Sequence, residues 1–521
     1  MKTYRAILVA AALTTLRSRA QVSTDVQAVV AAAENAVEAI GNRAVELFAT
    51  RCSDRSCSAC THSACKTGMP AGASCVSGFG TPTTCDNAGQ ILSEEESIVR
   101  IADLQSETAI EVVDDVCSFR GLDSVYSNNN EQSTGLRWQY FATQNGVHRQ
   151  YPGLLWGTDS DDSQCSDYEP RGRPWYVAAS SGPKNVVVVV DDSASMASPI
   201  AGSSVFRIDR AREAAISVIE TLTQADFFNV VRFSNQASTW TGNNLVRANE
   251  ANRLAAIQWV RNQISARGTS TQYHLGIREA YSLLRNSVAG DTENTRHTDC
   301  ISTVLFLTDG AASDGDEGVQ ELLLNQDMID GTAALPATSL FTYSFGSEDL
   351  LNQDDSANFA KQMACAGRGV WAGVEAFTEL RTAMSQYYSF LAAGQQRDTN
   401  VVWTEPYEDA TGLRDIVTAA KPVYDSRQVL MGVAGVDVAL ADFGVGVDTT
   451  LLNFLAQRSA SCASVQLSDC SLQQLREVQN ERYRVRAQAL GTVSRLDSVC
   501  RFSTNVTDPL YAPDLSCGNT Q

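Results

Sequence analysis

The chain has 521 residues, with 60 acidic against 40 basic side chains, a formal net charge of −20 and 44% hydrophobic residues. That balance argues against a nucleic-acid partner, which needs a basic footprint, and favours divalent cations or cationic groups. The length provides for two or three domains with sizeable cores.

Residues 1–20 predict a secretory signal peptide: Lys2 and Arg5 open it, Ile7 to Leu16 is its apolar core, and Ser18-Arg19-Ala20 is a small-x-small cleavage site. Residues 21–135 predict an N-terminal helical region. Within it, Val22 to Thr50 has apolar residues at helical spacing, and a helical pattern resumes from Ile91 to about Leu122. The stretch 51–89 between them is a cysteine-rich insertion holding Cys52, Cys57, Cys60, Cys65, Cys75 and Cys85. The chain has 14 cysteines in all, which suits an oxidising compartment. In an exported chain the cluster reads as disulfides before zinc ligands, with the pairing open.

Leu136 to Tyr151 reads as strand. From Lys184 to Ala393, strands at Val186–Val190, Phe227–Phe233, Ile301–Thr308 and Leu340–Phe345 alternate with helical runs, which predicts a doubly wound parallel sheet. Residues 396–445 turn strand-rich, and 446–521 form a cysteine-containing C-terminal region with one glycosylation sequon at Asn505. No run is apolar for long enough to span a bilayer comfortably, so a secreted or surface-associated chain without a direct membrane span is expected.

The chemistry centres on Val186 to Met196, VVVVVDDSASM. Five valines form a strand buried on both faces, and the following Asp191-x-Ser193-x-Ser195 can aim one carboxylate and two hydroxyls at a common point. Such hard oxygens suit Mg²⁺ or Ca²⁺. A second strand, ISTVLFLTDG, ends in Asp309, and GTSTQYHLG supplies Thr271 ahead of a helix.

In this order the three pieces resemble the metal-ion-dependent adhesion site of von Willebrand factor A domains. The resemblance implies Asp191, Ser193, Ser195, Thr271 and Asp309 as ligands of one divalent metal ion, Mg²⁺ or Ca²⁺. A position would stay open for an acidic residue of a protein partner. Ala194 stands where the family usually has glycine, and Thr269 rivals Thr271.

RPWYVAASSGPKN, DFFNVVRF, FAKQMACAGRG, NVVWTEPYEDATGL and LMGVAGVDVAL widen the resemblance to the alpha-2/delta auxiliary subunits of voltage-gated calcium channels. It implies an α/β doubly wound parallel sheet (the A domain, 184–393) inserted into an α+β Cache-type sensor domain (136–183 and 396–445). A membrane channel then becomes a candidate partner. Tyr168, Arg173, Trp175, Tyr176, Tyr407, Asp409 and Asp437 resemble the amino-acid-binding signature of double Cache sensors, with Trp156 nearby. An arginine fork matches the carboxylate of a free amino acid, while carboxylates and aromatic faces hold its ammonium. The same RPWY could instead pack a helix–strand corner. An amino-acid sensor or adhesion protein without a channel partner is the alternative function. An enzyme finds little support, because no base is placed beside Ser193 or Ser195.

Overall fold

The computed structural model describes residues 24–49 and most of 92–459; 103–109, 155–167, 331–337, 346–357, 392–400, 409–414 and 445–448 are among the stretches outside the described residues. The signal peptide, the cysteine-rich insertion, Trp156, Asp409, Asn505 and nearly all of the C-terminal region therefore lie outside the described residues.

Among the described residues helix α1 (Thr24–Ala49) comes first, followed by strands β1 (Leu92–Ser93) and β2 (Ile98–Ile101) and helices α2 (Ile110–Ser118) and α3 (Asp123–Gln132). Strands β3 (Leu136–Thr143), β4 (Val147–Tyr151) and β5 (Gly153–Leu154) come next, then helix α4 (Pro174–Ser181). An alternating stretch follows: β6 (Asn185–Asp191), α5 (Arg207–Thr221), β7 (Phe227–Phe233), β8 (Ala237–Thr239), β9 (Val246–Arg247), α6 (Glu250–Gln263), α7 (Tyr273–Val288), β10 (Ser302–Thr308), α8 (Glu317–Asp330), β11 (Thr338–Phe345), α9 (Phe359–Ala366) and β12 (Trp371–Val374). Strands β13 (Val402–Trp403), β14 (Ile416–Tyr424) and β15 (Leu430–Ala439) and helix α10 (Thr449–Ser459) close it.

Two large sheets result. One has the order β12-β11-β10-β6-β7-β8, and its five strands from β12 to β7 run parallel. Its central strand β6 is the valine run, and every residue in it is buried. The other has the order β13-β14-β15-β3-β4-β2 and is antiparallel throughout. Strands from before and after the alternating stretch meet in it at β15 and β3, so the α/β unit is an insertion within the antiparallel one.

Helix α1 covers one face of the antiparallel sheet. Val26, Val30, Ala33, Val37, Ile40 and Ala44 recur every three or four residues and are all buried, against Val417, Ala419, Ala434 and Val436 among others. Burying side chains the size of Val37 or Ile40 stabilises by about 1.5–3 kcal/mol each. Helix α4 packs on β14 and β15 from within a hydrophobic cluster that runs from Trp138 and Trp175 into Val186 and Val188 of the parallel sheet. The two units thus share a continuous core.

One expectation is corrected. The stretch read as helix from Ile91 to Leu122 begins with strands β1 and β2, and among the described residues its first helix is Ile110–Ser118. Ile98, Val99 and Ile101 are β-branched, and pairing with β4 buries all four residues of β2. The sheet edge decides the conformation there, overriding the helical spacing.

Candidate metal centre and sensor pocket

Asp191 ends β6 and Asp309 follows β10, the neighbouring strand, so both carboxylates stand at the carboxyl edge of the parallel sheet. Both are fully buried. Asp191 accepts hydrogen bonds from the Ser193 backbone N–H at 2.9 Å and from Thr308 Oγ1 at 2.7 Å. Thr308 Oγ1 in turn lies 2.9 Å from the Tyr273 hydroxyl, completing a chain that orients the carboxylate. The Ser193 and Ser195 hydroxyls are 3.0 Å apart. Arg207 reaches Asp309 at 3.0 Å. Burial, reinforced by the Asp309 charge, pushes the Asp191 carboxyl up to about 7.

Thr271 lies on the loop ahead of α7. It is buried, its N–H donates to Ser313 Oγ at 3.0 Å, and its carbonyl accepts from the Ser313 N–H at 2.8 Å. Thr269 is exposed. The glycine of T-x-Y-x-x-G has a packing reason: a Cβ on Gly276 would lie 2.9 Å from the Phe233 ring. Gly268, bridged to Ser193, is tighter still, since its Cβ would fall 2.1 Å from that of Ser234. Ala194 sits exposed in the short helical turn Ala194–Ala197, and positive φ among described non-glycine residues occurs only at Arg368 and Asp415. No glycine is needed there.

The second group lies on the antiparallel sheet. Asp437 accepts hydrogen bonds from Tyr140 and Thr418, both at 2.6 Å, and Tyr407 lies 2.8 Å from the Thr418 hydroxyl. Asp437 pairs with Thr418 on one side and sits at a register shift against β3 on the other. The Arg173 guanidinium is 5.7 Å from the Tyr407 ring centroid and donates to the Glu408 carbonyl at 3.2 Å. Trp175 packs on Tyr140 at 4.6 Å, and Tyr168 on His148 at 4.8 Å. Arg173, Tyr407 and Asp437 are therefore brought together across the insertion, with Tyr168 and Trp175 on the Tyr140–His148 side. Tyr176 touches the edge of Trp175 at 5.6 Å and is buried.

Comparison with known proteins follows this division. A model described as the von Willebrand factor type A domain matches residues 185–386. Another, described as methyl-accepting chemotaxis protein-like, first PDC sensor domain, matches 359–444. The voltage-dependent calcium channel subunit alpha-2/delta-2 of Homo sapiens is 30% identical over 338 residues, 62% of this chain. Over that span the chain is similar to alpha-2/delta subunits.

The alpha-2/delta-3 subunit of Rattus norvegicus is 27% identical over 350 residues, 64% of this chain. The alpha-2/delta-like chain spans 26% of the length of the first relative and 29% of the second. Among solved structures, a von Willebrand factor type A protein from Catenulispora acidiphila is 15% identical, with a TM-score of 0.31, over 50% of this chain and 57% of that one. A domains of this type commonly hold a divalent metal. The donor set here fits one, since two buried carboxylates with hydroxyls beside them form an all-oxygen set for a hard cation.

Tyr140, Thr418 and His148 escaped the sequence reading. Tyr140 could have been found from β3, where Trp138 and Tyr140 alternate onto one face, and from Gly435, whose Cβ would fall 2.0 Å from the Tyr140 ring. His148 lies buried among aromatics, and burial together with Arg100 and Arg173 lowers its pKa to about 3. No motif marks it.

Proposed function

We propose that this alpha-2/delta-like chain is an extracellular binding protein, not an enzyme, that engages an acidic group of a protein partner through a divalent cation. Asp191, Ser193, Ser195, Thr271 and Asp309 would hold Mg²⁺ or Ca²⁺, directly or through water. The bound cation would supply positive charge to attract a carboxylate. Asp191 and Asp309 carry the negative charge, Thr308 and the Ser193 N–H fix the orientation of Asp191, and Arg207 holds one oxygen of Asp309. The observation that carries this reading is the buried Asp191–Asp309 pair at the carboxyl edge of the sheet, which raises the Asp191 pKa and so calls for a cation.

The relatives suggest a voltage-gated calcium channel as the partner. The match of residues 359–444 to a sensor domain favours a second reading, in which Arg173, Tyr407 and Asp437, with Tyr168, Trp175, Tyr176, Asp409 and Trp156 as further candidates, bind a free amino acid without any channel. Co-expression with a calcium-channel pore subunit separates the two. Tagged chain should recover the channel in Mg²⁺ or Ca²⁺ and lose it in chelator and after Asp191→Ala. Failure to recover it under any condition would leave the sensor reading.

A further inference from the structure

We propose a second metal site in the A domain, for a transition-metal dication of the Zn²⁺ class, held by His274, Asp314 and Glu317. His274 lies in the first turn of α7, Glu317 opens α8, and Asp314 is on the loop that follows β10. His274 Nδ1 stands 2.8 Å from Asp314 Oδ2 and 3.3 Å from Glu317 Oε2, and one ligand atom from each of the three lies within 4.8 Å of the others. Ligands bound at about 2.0–2.2 Å around a tetrahedral metal sit roughly 3.4 Å apart, so a small adjustment admits the ion.

Three further observations favour a ligand over a simple ion pair. The Asp314 side chain is only 4% exposed, and its Oδ1 is buried without a hydrogen-bond partner among the described residues. Such an oxygen is costly to leave unmatched, and a cation would match it. Gly318 brings the two helix starts together, since a Cβ there would meet that of Tyr273 at 2.6 Å. One turn further on, the same two helices are joined by an ordinary ion pair, Arg278–Glu321 at 2.8 Å. In the first turn an imidazole stands in place of the guanidinium, and only the imidazole offers a lone pair.

The donor chemistry separates this site from its neighbour. Imidazole with carboxylates suits Zn²⁺, Co²⁺ or Mn²⁺, whereas the all-oxygen set around Asp191 suits Mg²⁺ or Ca²⁺. Glu317 is 62% exposed, so solvent can complete the coordination on that side. The site is also tied to the first: Ser313, adjacent to Asp314, exchanges hydrogen bonds with Thr271.

The test uses the full chain carrying Asp191→Ala, and in parallel the wild-type chain saturated with Mg²⁺, titrated with Zn²⁺ and with Co²⁺ as a spectroscopic probe. One His274-dependent ion per chain is expected, with Co²⁺ absorption typical of mixed nitrogen and oxygen ligands. His274→Ala and Glu317→Gln should each weaken Zn²⁺ binding at least about tenfold. Glu317 is largely exposed, so Glu317→Gln should melt like its parent in chelator, which separates lost binding from lost folding. Zn²⁺ isotherms and Co²⁺ spectra left unchanged by both substitutions would overturn the proposal.

Discussion

Asp191 links structure to function through its protonation. In the unfolded chain its carboxyl titrates near 3.8, whereas burial and Asp309 raise it to about 7 in the fold. Between those values the folded chain holds a proton that the unfolded chain releases. Stability of the metal-free protein therefore falls as pH rises from about 4 to about 7, by up to a few kcal/mol. Melting curves in chelator should show this fall in the wild type, and Asp191→Asn should reduce it. Saturating Mg²⁺ should offset it above pH 7. Identical pH profiles for wild type and Asp191→Asn would show that the carboxylate carries no such strain. The ligand candidates of the metal loops were legible because D-x-S-x-S and T-x-Y-x-x-G place few residue types at fixed spacing. Thr308 and Arg207, which orient and contact the carboxylates, have no spacing of their own and emerge only from the packing of β10 and α5.

The central elements were legible for a simple reason. Runs such as Val186–Val190 and Val304–Leu307 are apolar on both faces, and a strand buried from both sides shows no other pattern. Strand β2 was misread because four residues are too few to carry periodicity, and its partner β4 is 46 residues away in the chain. The candidate sensor site was half legible. Its aromatic and charged residues form a recognisable series, but the packing of Tyr176 depends on how α4 lies against β14 and β15. The site makes a prediction at this level, because Arg173 precedes the insertion and Asp437 follows it. A thermal-shift screen of the twenty amino acids should give a stabilising ligand whose effect is lost in Arg173→Ala. Loss of a desolvated guanidinium–carboxylate pair is worth on the order of 2–5 kcal/mol. A screen in which wild type and Arg173→Ala respond alike would rule out an amino-acid site at Arg173.

At the level of the whole molecule, the A domain is anchored at its base as well as through the shared core. Lys184, directly before β6, is fully buried with Asp226, 3.2 Å away, and Asp226 also accepts from the Thr223 N–H at 2.7 Å. Arg253 of α6 reaches Glu405 beyond β13, across to the antiparallel unit, at 2.5 Å. These contacts lie away from the carboxyl edge of the parallel sheet that carries Asp191 and Asp309. No helix among the described residues is long and apolar enough to cross a membrane. The carboxyl edge of the parallel sheet should bind a divalent cation through Asp191. The deciding measurement is calorimetric titration of Mg²⁺ and Ca²⁺ into wild type and Asp191→Ala at a pH above 7. One Asp191-dependent ion per chain is expected, lost or weakened at least about tenfold in the variant; equal binding by both proteins would rule Asp191 out as a ligand.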